Sequence, residues 1–169
     1  MDDELVNKII ETKNVAAFID LNDNDMESCF IELFYQYFYE MGFQNLNSIQ
    51  KTLFLCMVLE DHCQADGILS LTEEEELFFL LPQMVKALSD IEALNTANAV
   101  QRFIDFLPNG TFENHVIPEW GWFMADENYN VIEKIDSDIC NYPDGLLRGL
   151  YRKFLLSKPG AVSDLLQIG

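Results

Sequence analysis

Apolar residues recur at three- and four-residue spacing along almost the whole chain, and this periodicity predicts a helical protein. Residues from Asp2 to about Lys13 read as a short amphipathic helix with acids in its first turn, where the helix dipole favours them. A polar linker around Asp20 to Asn24 offers several N-caps. From Asp25 to Met41 the polar positions Asp25, Ser28, Glu32, Gln36 and Glu40 form one narrow wet stripe on an otherwise apolar, aromatic helix, stopped by Gly42. That segment is expected to be the most buried helix, or to lie at a subunit interface. Asn47 or Ser48 caps the next helix, which runs to about Gln64 with Gly67 beyond its end.

Ser70 or Thr72 is expected to cap a helix that opens with Glu73, Glu74, Glu75 and Glu76 and continues through Leu80 until Pro82 breaks or restarts it. A helix from Pro82 to about Ile91 follows, with Val85 and Leu88 inward, and Asn95 or Thr96 caps another that ends at Pro108 and Gly110. Residues 108 to 125 break the rhythm and hold both tryptophans. Asp126 to about Ile139 is helical again, and Asp144 is expected to cap a last helix that runs before Pro159. The expected fold is all-α: one domain over residues 1–169, a bundle of about seven or eight helices with one irregular Trp-containing loop. Its core spans about residues 25–157, and residues 158–169 form a loosely docked tail.

Composition changes what that surface can do. The chain carries 29 Asp and Glu against 10 Lys and Arg, a formal charge of -19, yet 49% of its residues are hydrophobic. Disordered acidic segments lack the apolar content to offset the entropy of ordering, so this is a folded body with an acidic coat. A folded chain of this mass exposes roughly 8,500 Å², or about 450 Å² per net charge. Duplex DNA carries one charge per about 100 Å² of a cylinder of ~10 Å radius. Imitating DNA therefore requires the carboxylates to gather on one face.

The acidic balance excludes direct nucleic-acid binding, which needs a basic stripe to displace counterions, and binding to anionic membranes. With no apolar run near the ~18 residues of a span and no basic, apolar leader, the expected location is cytoplasmic. Cys29, Cys56, Cys63 and Cys140 lack a CxxC spacing and read as reduced thiols, the first three inside apolar helical stretches. No cofactor is implied. Asp20, Asp23 and Asp25 lack the Gly and terminal Glu of a calcium loop. Glu60, Asp61, His62, Cys63 and Asp66 form the densest group of possible metal ligands, but zinc wants ligands converging from several elements, and His115 is the only other imidazole. The sequence has no Gly-rich phosphate loop, nucleophile elbow or paired-His zinc motif, so the chain is expected not to be an enzyme. Trp120-Gly121-Trp122-Phe123 reads first as a plug for the core and second as an exposed aromatic platform.

The stretch Ala65-Asp66-Gly67-Ile68-Leu69, the acidic aromatic segment after it, and the run from Leu81-Pro82-Gln83-Met84 to Ile91-Glu92-Ala93 resemble the neisserial DNA-mimic protein family. So does Ala97 to Pro108, with its Phe106-Leu107-Pro108 ending. The resemblance covers about residues 25–157. It departs at two turns: the family reads Asn-Gly-Gly-Phe where this chain has Ala65-Asp66-Gly67-Ile68, and Ile-Gly-Ala where it has Ile91-Glu92-Ala93. The resemblance implies an all-helical domain, often a homodimer, and an acidic face that occupies the DNA site of a DNA-binding protein.

Such a face has no motif. The acids expected to form it come from this chain's own pattern: Asp20, Asp23, Asp25, Glu73, Glu74, Glu75 and Glu76. The functional expectation is a non-enzymatic interaction protein for a basic or DNA-binding partner. The alternatives are an immunity-type protein neutralising a basic toxin such as a nuclease, and, third, a carboxylate-based enzyme.

Overall fold

A computed structural model describes residues 3–167, so the expectation that Asp2 opens the first helix lies outside the described residues. The fold is all-α, without strands among those residues. Its helices in order are α1 (Asp3–Thr12), α2 (Val15–Ile19), α3 (Asp23–Glu32), α4 (Tyr39–Met41), α5 (Ser48–Ala65), α6 (Glu75–Phe78), α7 (Leu81–Asp90), α8 (Leu94–Phe106), α9 (Trp120–Phe123), α10 (Asp126–Cys140), α11 (Leu147–Ser157) and α12 (Ala161–Leu165). Seven of them have ten or more residues, in line with the expected seven or eight. The chain forms two compact units: residues up to Phe54 together with those from Arg148 on, and residues Leu55–Leu147.

The first unit is built from both ends of the chain. In α1 the buried residues Val6, Ile9 and Ile10 stand at the three- and four-residue spacing that predicted an amphipathic helix. Asn22 caps α3, its side-chain oxygen accepting from the backbone N–H groups of Asn24 and Asp25. After α3 the helical backbone widens into a π turn over Leu33–Phe38 before α4, and Gly42 ends it at φ +73°. A π turn adds a residue to the loop between hydrogen-bond partners and shifts the phase of every side chain beyond it. Phe34 and Phe38 turn inward, whereas Ile31, Tyr35 and Tyr39 are exposed. The single wet stripe expected here is therefore wider, and this is not the most buried helix.

Asn47 and Gln50 resolve the cap of α5 as a reciprocal box. The Asn47 side chain accepts from the Gln50 N–H at 3.0 Å, and the Gln50 side chain accepts from the Asn47 N–H at 3.0 Å. The Gln50 amide, 1% exposed, also donates to the carbonyls of Leu165 and Gln167, and Asn47 donates to that of Asp164. Residues 158–167, expected to be loosely docked, are thus held by three hydrogen bonds and by burial of Ala161, Val162, Leu165 and Leu166. Arg148 pairs with Glu27, and Arg152 reaches both the Leu21 carbonyl and Asp23.

In the second unit α7 and α8 pack as a pair and α10 packs on α8, around Leu81, Met84, Leu88, Val100, Phe103, Ile132 and Ile135. Leu88 points inward as expected, whereas Val85 is only half-buried and Met84 and Ala87 take the core positions. The helix expected to start at the four glutamates is much shorter. Residues Ile68–Glu73 form a 3-10 turn and α6 is a single turn, begun by Glu74 without a side-chain cap. The cap expected of Asn95 or Thr96 is also supplied differently. Asp144 reaches across 48 and 49 residues to accept from their backbone N–H groups, so it caps α8 and not the helix that follows it.

Between α7 and α8 the chain turns at Glu92, which adopts φ +68°. The left-handed region costs a residue with a Cβ roughly 1–2 kcal/mol, and this is the position where the resembled family carries glycine. Glu92→Gly is expected to stabilise the protein by about 1 kcal/mol, read as a higher urea midpoint at unchanged slope. A lower midpoint would show that the Glu92 side chain stabilises more than its backbone strain costs.

Candidate functional site

The two compact units differ sharply in charge. Residues Leu55–Leu147 contain 18 Asp and Glu against Lys86, Arg102 and Lys134, a formal -15, whereas the rest of the chain holds 11 acids against seven cations, a formal -4. By surface scaling the acidic unit alone carries about one net charge per 360 Å², and the other unit about one per 1,200 Å². The negative coat is therefore partitioned by architecture, not spread evenly along the chain.

Within the acidic unit, burial separates two kinds of carboxylate. Four are half-buried, and three of those hold the fold together. Asp136 accepts from the Ile68 N–H at 2.7 Å, Asp138 pairs with Arg102 at 2.8 Å, and Asp144 caps α8. Half-burial would raise the carboxyl of Asp144, but hydrogen bonds from the backbone and side chains of Thr96 and Asn95 bring it below the ordinary Asp range. The other fourteen are exposed.

Glu73, Glu74, Glu75 and Glu76 are all exposed on the turn that joins the 3-10 segment to α6. Consecutive residues fan outward here because Leu71 before them and Leu77 and Phe78 after them are buried. Glu74 lies 3.5 Å from Nε2 of His62, whose Nδ1 is 2.8 Å from the Ser70 hydroxyl. Asp20, Asp23 and Asp25 belong to the other unit. Asp20 is exposed at the end of α2, Asp23 pairs with Arg152 at 2.8 Å, and Asp25 is half-buried and accepts from the Asn22 amide at 2.6 Å.

A second acidic stretch escaped the sequence reading. Between Arg102 and Lys134 stand six carboxylates, Asp105, Glu113, Glu119, Asp126, Glu127 and Glu133, all exposed, with no Lys or Arg among them. The usable signal was the 31-residue gap between successive cations. The same stretch contains the aromatic loop, which divides between both readings. Phe123 is 1% exposed and Trp122 packs against Phe106 at 5.5 Å, so these two plug the core. Trp120 is 58% exposed.

The cysteines are all free: Cys29, Cys56 and Cys63 are buried and Cys140 is half-buried. Burial, with Asp25 and Glu32 nearby, pushes Cys29 up to about 12. Cys140 donates to the Cys63 carbonyl at 3.0 Å, and a hydrogen bond between the two thiols pushes Cys63 up and draws Cys140 down. Both line a recess of about 20 Å³, room for one water, whose only carboxylate is Glu60. Among the described residues no three His, Cys, Asp or Glu side chains are placed to hold a metal, and no helix is long and apolar enough to cross a membrane.

Residues 44–157, a span that includes the whole acidic unit, match the family model described as DMP19-like protein. The chain belongs to the DMP19-like protein family. No curated protein and no solved structure matches it. Membership fits the resemblance carried by the Gly67 and Pro82 segments, and it places the Glu73–Glu76 turn and the aromatic loop of α9 inside the part of the chain that defines the family.

Proposed function

We propose that this DMP19-like protein binds the DNA-contacting surface of a basic, DNA-binding protein and presents the carboxylates of its acidic unit in place of phosphates. The observation that carries this reading is the formal -15 confined to Leu55–Leu147, most of it on exposed side chains. A compact body with that charge attracts a cationic surface over about a Debye length and repels DNA and other anionic surfaces. The contact begins as long-range steering and settles into charge pairs at the rim, so its affinity is governed by salt.

The test is capture of partners from the native host's lysate at low salt, followed by binding titrations of each captured protein with duplex DNA as competitor. The expected partner is displaced by duplex, and its affinity falls steeply between low and moderate salt. Glu73–Glu76→Gln, four neutralisations at one turn, is expected to weaken binding about tenfold and flatten the salt dependence. A partner indifferent to salt, or bound together with DNA, would refute mimicry. Capture of one basic nuclease whose cleavage is blocked would instead assign the protein to immunity.

A further inference from the structure

We propose that Trp120 and Met124 form an anchoring ledge for an arginine-bearing segment of a basic protein partner. This deepens the reading above and rests on it for the charge of the partner. Seven large apolar side chains are exposed among the described residues of the acidic unit, and five of them fall between Val116 and Val131: Val116, Trp120, Met124, Tyr129 and Val131. Scattered exposed apolar residues are ordinary, but an exposed tryptophan with an exposed methionine one turn away makes a surface suited to contact. Trp120 and Met124 are four apart and joined by the Met124 N–H to Trp120 carbonyl bond, so they share one side of the α9 turn.

The base of the ledge is fixed. The Trp120 ring lies 6.4 Å from Phe123, which is buried, and the Asn128 amide holds the Trp122 carbonyl at 2.8 Å. Its front is open: Trp120 is 58% and Met124 44% exposed. An indole with this much exposed area loses little conformational freedom when a partner covers it, which is why Trp recurs as an anchor in interfaces.

Charge selects the occupant. Glu119 directly precedes Trp120, and Asp126 and Glu127 open α10 just after Met124, all exposed and with no cation between Arg102 and Lys134. The phosphates of a nucleic acid or of an anionic lipid would bring negative charge to this site and be repelled. A cation is attracted twice, by the carboxylates and by the electron-rich face of the indole. Arginine fits better than lysine, since its planar, weakly hydrated guanidinium stacks on an aromatic face while its edge pairs with carboxylates.

The test uses the full chain and two labelled peptides of equal length and charge, one with arginine and one with lysine, titrated at low salt by fluorescence anisotropy. The intact protein is expected to prefer the arginine peptide about fivefold, the size of one exposed-to-desolvated cation–π contact. Trp120→Ala should abolish that preference, whereas Trp120→Phe should retain part of it. Glu73–Glu76→Gln should weaken both peptides equally and leave the preference intact. Equal binding of both peptides by the intact protein, or an unchanged preference in Trp120→Ala, would overturn the ledge while leaving salt-dependent binding of cations in place. Failure of either peptide to bind at all would overturn both the ledge and the acidic-surface reading. Trp120 is exposed, so its variants should unfold at the same urea midpoint as the parent.

Discussion

Gly67→Ala is expected to destabilise the protein by about 3 kcal/mol, the sum of a forbidden backbone and a lost hydrogen bond. Gly67 sits at φ +81°, ψ 174°, a region that essentially only glycine occupies. A Cβ there would come within 2.8 Å of Oδ2 of Asp136. The carboxylate could swing away, but its Oδ1 accepts the Ile68 N–H at 2.7 Å, and Ile68 is fully buried. Moving Asp136 therefore strands a backbone donor at the start of the 3-10 turn that presents Glu73. The loss should appear as a lower urea midpoint at unchanged slope. Gly67→Asn makes the test sharper. Asn tolerates the ordinary left-handed region, but ψ 174° lies far outside it, so Asn should be no better than Ala. A loss below about 1 kcal/mol in both variants would mean that the turn relaxes into another conformation.

Helix existence was legible where a helix buries a stripe at its own period, as Val6, Ile9 and Ile10 do in α1 and Leu81, Met84 and Leu88 do in α7. What was illegible depended on chain geometry that no local window contains. The π turn after Glu32 has no composition of its own, so the phase shift that exposes Tyr35 and Tyr39 could not be read from their spacing. The run of four glutamates looked like the start of a helix because the dipole favours acids there. The buried Leu71, Leu77 and Phe78 instead pull that segment into a tight 3-10 turn followed by one α turn.

The charge partition was hidden for a related reason. The near-balanced unit is assembled from residues up to Phe54 and from Arg148 on, so its cations Arg148, Arg152, Lys153 and Lys158 lie far along the chain from the acids they share a unit with. Two of those pairs, Arg148 with Glu27 and Arg152 with Asp23, span 121 and 129 residues. Counted along the sequence, residues 1–54 carry a formal -7, a density close to that of the middle, and only the +3 of the stretch from Arg148 on offsets it. Once the ends are grouped, the middle stands out. Asp23 and Asp25 then read as parts of a helix start tied to Arg152 and Asn22, and the Glu73–Glu76 turn as the acidic group that stands in the strongly negative unit.

Asp144→Ala is expected to cost about 2 kcal/mol at neutral pH, the upper range for loss of a helix cap, even though the cap is donated from 48 residues away. Helix α8 begins after Ala93 with no side-chain cap of its own, which leaves the N–H groups of Asn95 and Thr96 without an intrahelical partner. Asp144 takes both, at 3.2 and 2.7 Å, and accepts from the Asn95 amide and Thr96 hydroxyl at 2.8 Å each. Thr96 is 3% exposed, so water cannot replace the carboxylate there without opening the helix start. Because these bonds hold the folded carboxyl below its unfolded value near 4, the stabilisation is fully present above that value. It is lost as pH falls through the folded value. The stability gap between parent and Asp144→Ala should therefore stay constant from about pH 7 to pH 5 and narrow progressively below about pH 4. Asp144→Asn keeps one acceptor but turns an N–H₂ toward a donor, so it should lose stability as well, and its gap from the parent should narrow over the same acid range. A gap that widens in acid, or a loss below about 0.5 kcal/mol at pH 7, would show that α8 is held at its start by packing alone and that the bridge from Asp144 is dispensable.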